Sequence, residues 1–197
     1  MNDLVREGYN KIAEVYAGQR DLFKNDAYLA QLSAFLHARA RILDIGCGAG
    51  IPVDRYLLEC GFRVTGIDIS EKQIEIARRN NPGAAYFVRD VLDLRDGEFE
   101  VDAVVSFYTI FHAPRENHAH LLGVIRSFLS PGGLMLITMG SSNWEGTEVF
   151  HGVEMFWSHF DSQTNRALIE ASGFRVEVDE IHSSGGEQHQ ILLGVAL

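Results

Sequence analysis

Three groups of residues in this chain have types and spacings that could do chemistry. The first is Asp44-Ile45-Gly46-Cys47-Gly48-Ala49-Gly50, alternating glycines behind a carboxylate. Such glycines let the backbone turn freely and let a ligand approach bare main chain. The second is Asp68, at the end of the next β-branched run, where a carboxylate can accept both hydroxyls of a ribose. The third is the set of histidines, 8 in all and mostly in the C-terminal half. An imidazole titrates near neutrality and can take a proton from a hydroxyl, thiol or ammonium nucleophile. His112 follows the fourth β-branched run, His159 sits in Met155-Phe156-Trp157-Ser158-His159-Phe160, and His189 opens the last run. These three are the candidate catalytic residues, although a buried structural role competes for His159 and His189. His118 and His120 read as surface residues of an exposed helix.

The glycine spacing separates two kinds of nucleotide ligand. A dinucleotide fingerprint needs Gly-x-Gly-x-x-Gly, but Ile51 stands at the third position and the glycines fall at 46, 48 and 50. Asp44 beside this loop would repel a pyrophosphate and attract the ammonium of an amino-acid moiety.

These groups need a scaffold. From Arg41 onward, short β-branched runs alternate with helical stretches, as in βαβ units wound about a mostly parallel sheet. Strands are expected over 41–45, 63–68, 85–88, 101–106, 134–139, 175–181 and 190–196. Pro52 marks a helix start, Ser70 with Gln73 forms a capping box, and Asn81-Pro82-Gly83 ends that helix. A helix over 116–129 is closed by the turn Ser130-Pro131-Gly132-Gly133, and Asp161 and Gly173 bound the last one. The connection 182–187 is too short for a parallel crossover, so the last two strands pair antiparallel. The fold class is therefore α/β, a Rossmann-like seven-stranded, mostly parallel sheet with an antiparallel last strand and helices on both faces. Residues 1–38 form a helical cap with an apolar stripe that includes Leu4, Tyr9, Ile12, Val15, Tyr16 and Phe35. Residues 140–160 form an aromatic lid.

Composition narrows the class of function. The chain has 197 residues, 46% hydrophobic and 22% charged, which suits a single domain over 1–197. A formal net charge of -10, with no run of Lys or Arg, argues against nucleic acid as partner. No leader pattern and no apolar span of about 18 residues appears, so no membrane partner is expected. Cys47 and Cys60 read as free thiols in a reducing, cytoplasmic setting, and no Cys/His spacing suggests a metal. Oligomeric state is not written in these residues.

LDIGCGAG (43–50), GIDIS (66–70), FVRDVLDL (87–94), VDAVVSFYTIFH (101–112) and LSPGGLMLI (129–137) follow one another in the order of five motifs. In these the chain resembles the class I S-adenosylmethionine-dependent methyltransferases. The resemblance implies S-adenosyl-L-methionine as cofactor. Gly46, Cys47 and Gly48 would wrap its methionine end, with Asp44 supporting the amino group. Asp68 would hold the ribose, Ile69 would pack on adenine, and Asp90 and Val91 would meet the adenine amino edge. Ser106 and Phe107 would lie beneath the sulfonium, and Tyr9 and Tyr16 would belong to an N-terminal cap. Tyr9, Tyr16 and Asp90 also have plain structural readings, as core packing for the tyrosines and as a turn cap for Asp90.

The expected activity is methyl transfer to an oxygen, nitrogen or sulfur of a small, partly apolar acceptor. The Asn/Asp-Pro-Pro-aromatic motif and the cysteine cluster of other branches of that family are absent. The alternatives are a module that binds the cofactor without turnover, and a nicotinamide-dependent reductase, which the missing third glycine disfavours.

Overall fold

A computed structural model describes residues 2–19, 25–184 and 186–197. The expected cap 1–38 and connection 182–187 include residues 1, 20–24 and 185, which lie outside the described residues. The strands are β1 (Arg41–Ile45), β2 (Arg63–Asp68), β3 (Ala85–Val88), β4 (Val101–Ser106), β5 (Leu129–Gly140), β6 (Trp144–Phe150), β7 (Val153–His159), β8 (Phe174–Ser184) and β9 (Glu187–Ala196). The helices are α1 (Asn2–Ala17), α2 (Asp26–Ala34), α3 (Val53–Glu59), α4 (Glu71–Asn80), α5 (His118–Ser127) and α6 (Ser162–Ala171). Seven strands form one sheet in the order β3-β2-β1-β4-β5-β9-β8. β9 runs antiparallel to both β5 and β8, and the other pairings are parallel.

The sheet is buried on both faces, so its strands carry apolar residues on both. Leu43, Val104, Met135, Ile137 and Leu192 face α5 and α6. Ile42, Ala103, Val105, Leu136 and Leu193 face α2 and α3. The period-2 alternation of a strand sorts neighbours such as Ile42 and Leu43 to opposite sides. α4 packs at the β2–β3 end, with Ile74 and Ala77 against Cys47 and Tyr86. No helix among the described residues is long and apolar enough to cross a membrane.

Several boundaries differ from the sequence expectation. The helix expected over 116–129 runs only from His118 to Ser127. The expected turn at 130–133 is absorbed into β5 as an irregularity: Val101 pairs with Leu129 and Ala103 with Leu134. His118 is fully buried, its Nε2 donating to the Ala113 carbonyl at 3.1 Å, whereas His120 is exposed. On the cap, Val5, Ile12 and Ala13 are buried, while Val15 and Phe35 face solvent. The segment 140–160 contains a β-hairpin of its own, β6 paired with β7. α1 lies on this hairpin at close range: a methyl group on Gly8 would fall 2.5 Å from the Met155 sulfur. A glycine there lets helix and strand approach so closely.

Candidate active site

The carboxyl ends of β1, β2, β3 and β4 converge where the strand order reverses between β1 and β4. Open α/β sheets take ligands at this switch point. A cleft of about 740 Å³, its open mouth included, lies there. Its wall contains Tyr9, Tyr16, Gly46, Cys47, Gly48, Asp68, Ile69, Asp90, Val91, Phe107 and His112, so eleven candidate residues far apart in sequence meet in one place.

The glycine turn is pinned to the neighbouring strand. The Gly46 and Cys47 N–H groups both donate to the Ile67 carbonyl, at 2.7 and 3.0 Å. Gly46, Gly48 and Gly50 all adopt positive φ, +77°, +53° and +69°. A Cβ on Gly46 would collide with the Thr109 side chain, while one on Gly48 would meet only the Gln73 amide oxygen, at 3.8 Å. The Gly48 N–H donates to Asp68 Oδ2 at 2.9 Å, and the Ser70 N–H donates to Oδ1 at 2.8 Å. The Asp68 carboxylate thus keeps acceptor capacity for a donor in the cleft. Burial raises its pKa to about 6, against the opposing effect of these backbone donors.

Asp90 caps the short 3₁₀ turn Val91–Asp93, its Oδ1 accepting from the Leu92 N–H at 2.9 Å, and also lines the cleft. Its structural and ligand-facing readings therefore coexist. Two candidates lie off the cleft wall. Ser106 is fully buried, its hydroxyl donating to the Ile45 carbonyl at 2.9 Å, and it does not line the cleft. Asp44 is likewise buried behind the wall, beside Asp54, whose carboxyl burial lifts to about 6. Tyr86 Oη donates to Asp54 at 2.8 Å, and Asn81 ties the Gly50 carbonyl to the same network.

His112 is buried, with Nδ1 2.7 Å from the Phe156 carbonyl and Nε2 2.9 Å from Tyr9 Oη. A carbonyl can only accept, so Nδ1 carries the proton and Tyr9 donates to the Nε2 lone pair. Burial lowers the imidazole to about 4, keeping it neutral. Tyr9, Tyr16, Tyr108 and His112 also line a second, more open cavity, and His159 and His189 lie there rather than in the first. The three candidate histidines thus face the second cavity, with His112 on the shared wall. Among the described residues, no group of three His, Cys, Asp or Glu is placed to hold a metal ion.

Val5, Gln73, Tyr108 and Thr109 also line the cleft and were not expected to. Val5 could have been found, since it lies one turn before Tyr9 on the α1 stripe. Gln73 stood out only as a capping partner. In the fold it is 1% exposed, and neither end of its carboxamide finds a partner. Tyr108 has φ +60°, and no sequence signal marks a bulky residue for that conformation. Its N–H donates to Thr138 Oγ1 at 2.5 Å and its hydroxyl to Asn25 Oδ1 at 3.2 Å.

The donor set fits a sulfonium nucleoside. Asp68 has acceptor capacity for a ribose, Gln73 has an unsatisfied amide, and among the described residues no Lys or Arg lines the cleft to pair with a pyrophosphate.

Several known proteins are similar to this chain. Residues 42–133 match a family model described as a methyltransferase domain. YqeM of Bacillus subtilis, named as a methyltransferase, is 24% identical over 196 residues, 92% of this chain and 78% of that one. A ubiquinone biosynthesis O-methyltransferase of Xanthomonas axonopodis pv. citri is 31% identical over 122 residues, 58% of this chain and 49% of the relative. The crystal structure of magnesium protoporphyrin IX methyltransferase from Synechocystis with bound SAM superposes with a TM-score of 0.76 at 17% identity. It covers 100% of this chain and 97% of that one.

Proposed function

We propose that this chain is a class I S-adenosylmethionine-dependent methyltransferase, and that it methylates an oxygen, nitrogen or sulfur of a small molecule by in-line displacement. When bound, S-adenosylmethionine supplies a methyl group on a sulfonium, a carbon already attached to a good leaving group. The protein's task is then alignment and exclusion of water.

In this reading Asp68 takes the ribose hydroxyls on its remaining lone pairs. Ile69 and Val91 flank the adenine, with Asp90 at its amino edge, and the bare Gly46–Gly48 turn with Cys47 takes the methionine end. Phe107 would lie beneath the sulfonium. Asp44 and Ser106 act from behind the wall as positioning residues. Tyr9 and His112 stand between the cofactor cleft and the second cavity, and Tyr16 closes the same wall. A nucleophile in that cavity can give its proton to the Tyr9 oxygen as Tyr9 passes its own to His112 Nε2.

The observation that carries the reading is the shared wall: one neutral, tautomer-fixed histidine, hydrogen-bonded to a tyrosine, borders both cavities. A module that only bound the cofactor would have no use for the second cavity. The similarity to a ubiquinone biosynthesis O-methyltransferase and to a magnesium protoporphyrin IX methyltransferase supports a small-molecule acceptor here as well. The two free cysteines suit a reducing, cytoplasmic setting.

Two measurements test this. S-adenosylhomocysteine at about 100 times its Kd should stabilise the protein by about 2.7 kcal/mol, or roughly 5–10 °C in Tm for a chain of this size. Asp68→Ala should remove most of that shift, and an unchanged shift would sink the ribose assignment. An acceptor panel read by S-adenosylhomocysteine release should then find turnover. Cofactor binding with no release across a broad panel would favour the binding-only module.

A further inference from the structure

The second cavity encloses about 1260 Å³ to its open mouth, and its lining has a chemical sign. Tyr16, Phe111, Trp144, Phe150 and Trp157 give it a largely aromatic wall, and among the described residues its formally charged side chains are both acidic, Glu148 and Glu187. Among the described residues, no lysine or arginine lines it.

The histidines add acceptors rather than positive charge. His159 Nδ1 hydrogen-bonds the Ser142 carbonyl, which can only accept, so its proton sits there and Nε2 keeps a lone pair. His189 is 9% exposed and stacked on Phe111, with ring centroids 5.4 Å apart. Its Nε2 lies 3.5 Å from the Glu187 carboxylate. Its Nδ1 is buried with no partner. Burial, with His159 and His182 nearby, lowers this imidazole to about 4 and keeps it neutral.

Aromatic faces, carboxylates and imidazole lone pairs are all complementary to positive charge and to N–H donors. They repel carboxylates and phosphates. We propose that the second cavity selects a methyl acceptor that joins a flat aromatic body to a cationic nitrogen, and excludes anionic acceptors of the same size. The proposal rests on the methyltransferase reading, which places the acceptor in this cavity. The aromatic body stacks among the lining rings, the cation faces Glu148, Glu187 and His189, and the reacting atom lies toward Tyr9 and His112.

The chain's two tryptophans, Trp144 and Trp157, both line the cavity, so their fluorescence reports occupancy without turnover. Phenethylamine, 2-phenylethanol and 3-phenylpropionate share one aromatic body and differ in charge. Titrated in the presence of S-adenosylhomocysteine, phenethylamine should bind at least tenfold tighter than 3-phenylpropionate, with 2-phenylethanol between them. Combining Glu148→Gln with Glu187→Gln should shrink that ratio to threefold or less. Equal or tighter binding of the carboxylate, or an unchanged ratio in the double variant, would overturn the proposal. The thermal shift with S-adenosylhomocysteine, taken on the same samples, keeps the two readings apart. Its absence would count against the cofactor assignment, while the amine-to-carboxylate ratio still decides the acceptor class.

Discussion

Gly46 and Gly48 stand two residues apart in one turn, yet an added methyl group would do different things at each. Both have positive φ, which costs an L-residue roughly 1–2 kcal/mol. At Gly46 the methyl would also strike Thr109, across the turn from β4. Gly46→Ala should therefore lower the Tm of the ligand-free protein clearly, by more than about 2 kcal/mol of stability. Gly48→Ala should cost about 1 kcal/mol and yet abolish most of the stabilisation by S-adenosylhomocysteine, because its methyl would occupy the cleft side of the turn. Thermal denaturation of both variants, with and without the ligand, checks this. Equal losses of stability would mean that the turn does not divide its labour in this way. The alternating glycines were legible in the sequence; which one serves the fold and which the ligand was not. That division depends on Thr109, more than sixty residues away, and chain separation hides such contacts.

At the scale of elements, the cap depends on how α1 meets the start of α4. Ser70 caps α4, its hydroxyl oxygen accepting from the Gln73 N–H at 3.1 Å while donating to Asn10 Oδ1 at 2.7 Å. Asn10 also accepts from the Lys72 N–H and donates to Glu71 Oε2 at 2.8 Å. Arg6 pairs with Glu71 alongside, but both side chains are more than 40% exposed, and such pairs contribute little. Asn10→Ala should cost about 1–2 kcal/mol, speed amide exchange along α1, and weaken S-adenosylhomocysteine binding several-fold, because Tyr9 and Tyr16 ride on the same helix. Arg6→Ala should leave all three nearly unchanged. Hydrogen exchange read by mass spectrometry, paired with titration calorimetry, distinguishes the two variants. An Asn10→Ala protein with wild-type exchange in α1 would show that Met155 and the hairpin hold the cap unaided. The capping box was readable because its partners are three residues apart. Asn10 was not, since its partners belong to another helix.

At the scale of the whole molecule, buried titratable groups of opposite kinds oppose each other. Burial raises Asp54 and Asp68 to about 6, so each binds protons more readily folded than unfolded. Their contribution is complete below the unfolded pKa near 3.8 and is lost as pH rises through 6. Burial lowers His112 and His189 to about 4. Their contribution is complete above about 6.5 and is lost as pH falls through 4. Each shift corresponds to about 3 kcal/mol at full extent. His118, shifted down, and Glu187, shifted up, act in the same opposed senses. The ligand-free protein should therefore be nearly as stable at pH 4.5 as at pH 6.5. Asp54→Asn removes one carboxyl from this balance and should make the protein more stable at pH 6.5 than at pH 4.5, by about 2 kcal/mol. Urea midpoints at the two pH values check it, and a wild-type slope in the variant would place the balance in other groups.

The sequence by itself determined the α/β class, the first four strands to the residue and the hairpin at the end of the sheet. Strand periodicity, glycine spacing and capping pairs act over a few residues, and five ordered motifs reinforce one another. Only the tertiary structure decided that Ser106 and Asp44 stand behind the wall, that His118 is buried, and that Gln73 and Tyr108 reach the cleft. It also set His112 against Tyr9, and His159 and His189 in a separate cavity. Those outcomes depend on which buried surfaces meet across the sheet and on where a polar group can find a partner once water is gone. Neither is a property of a short stretch of chain.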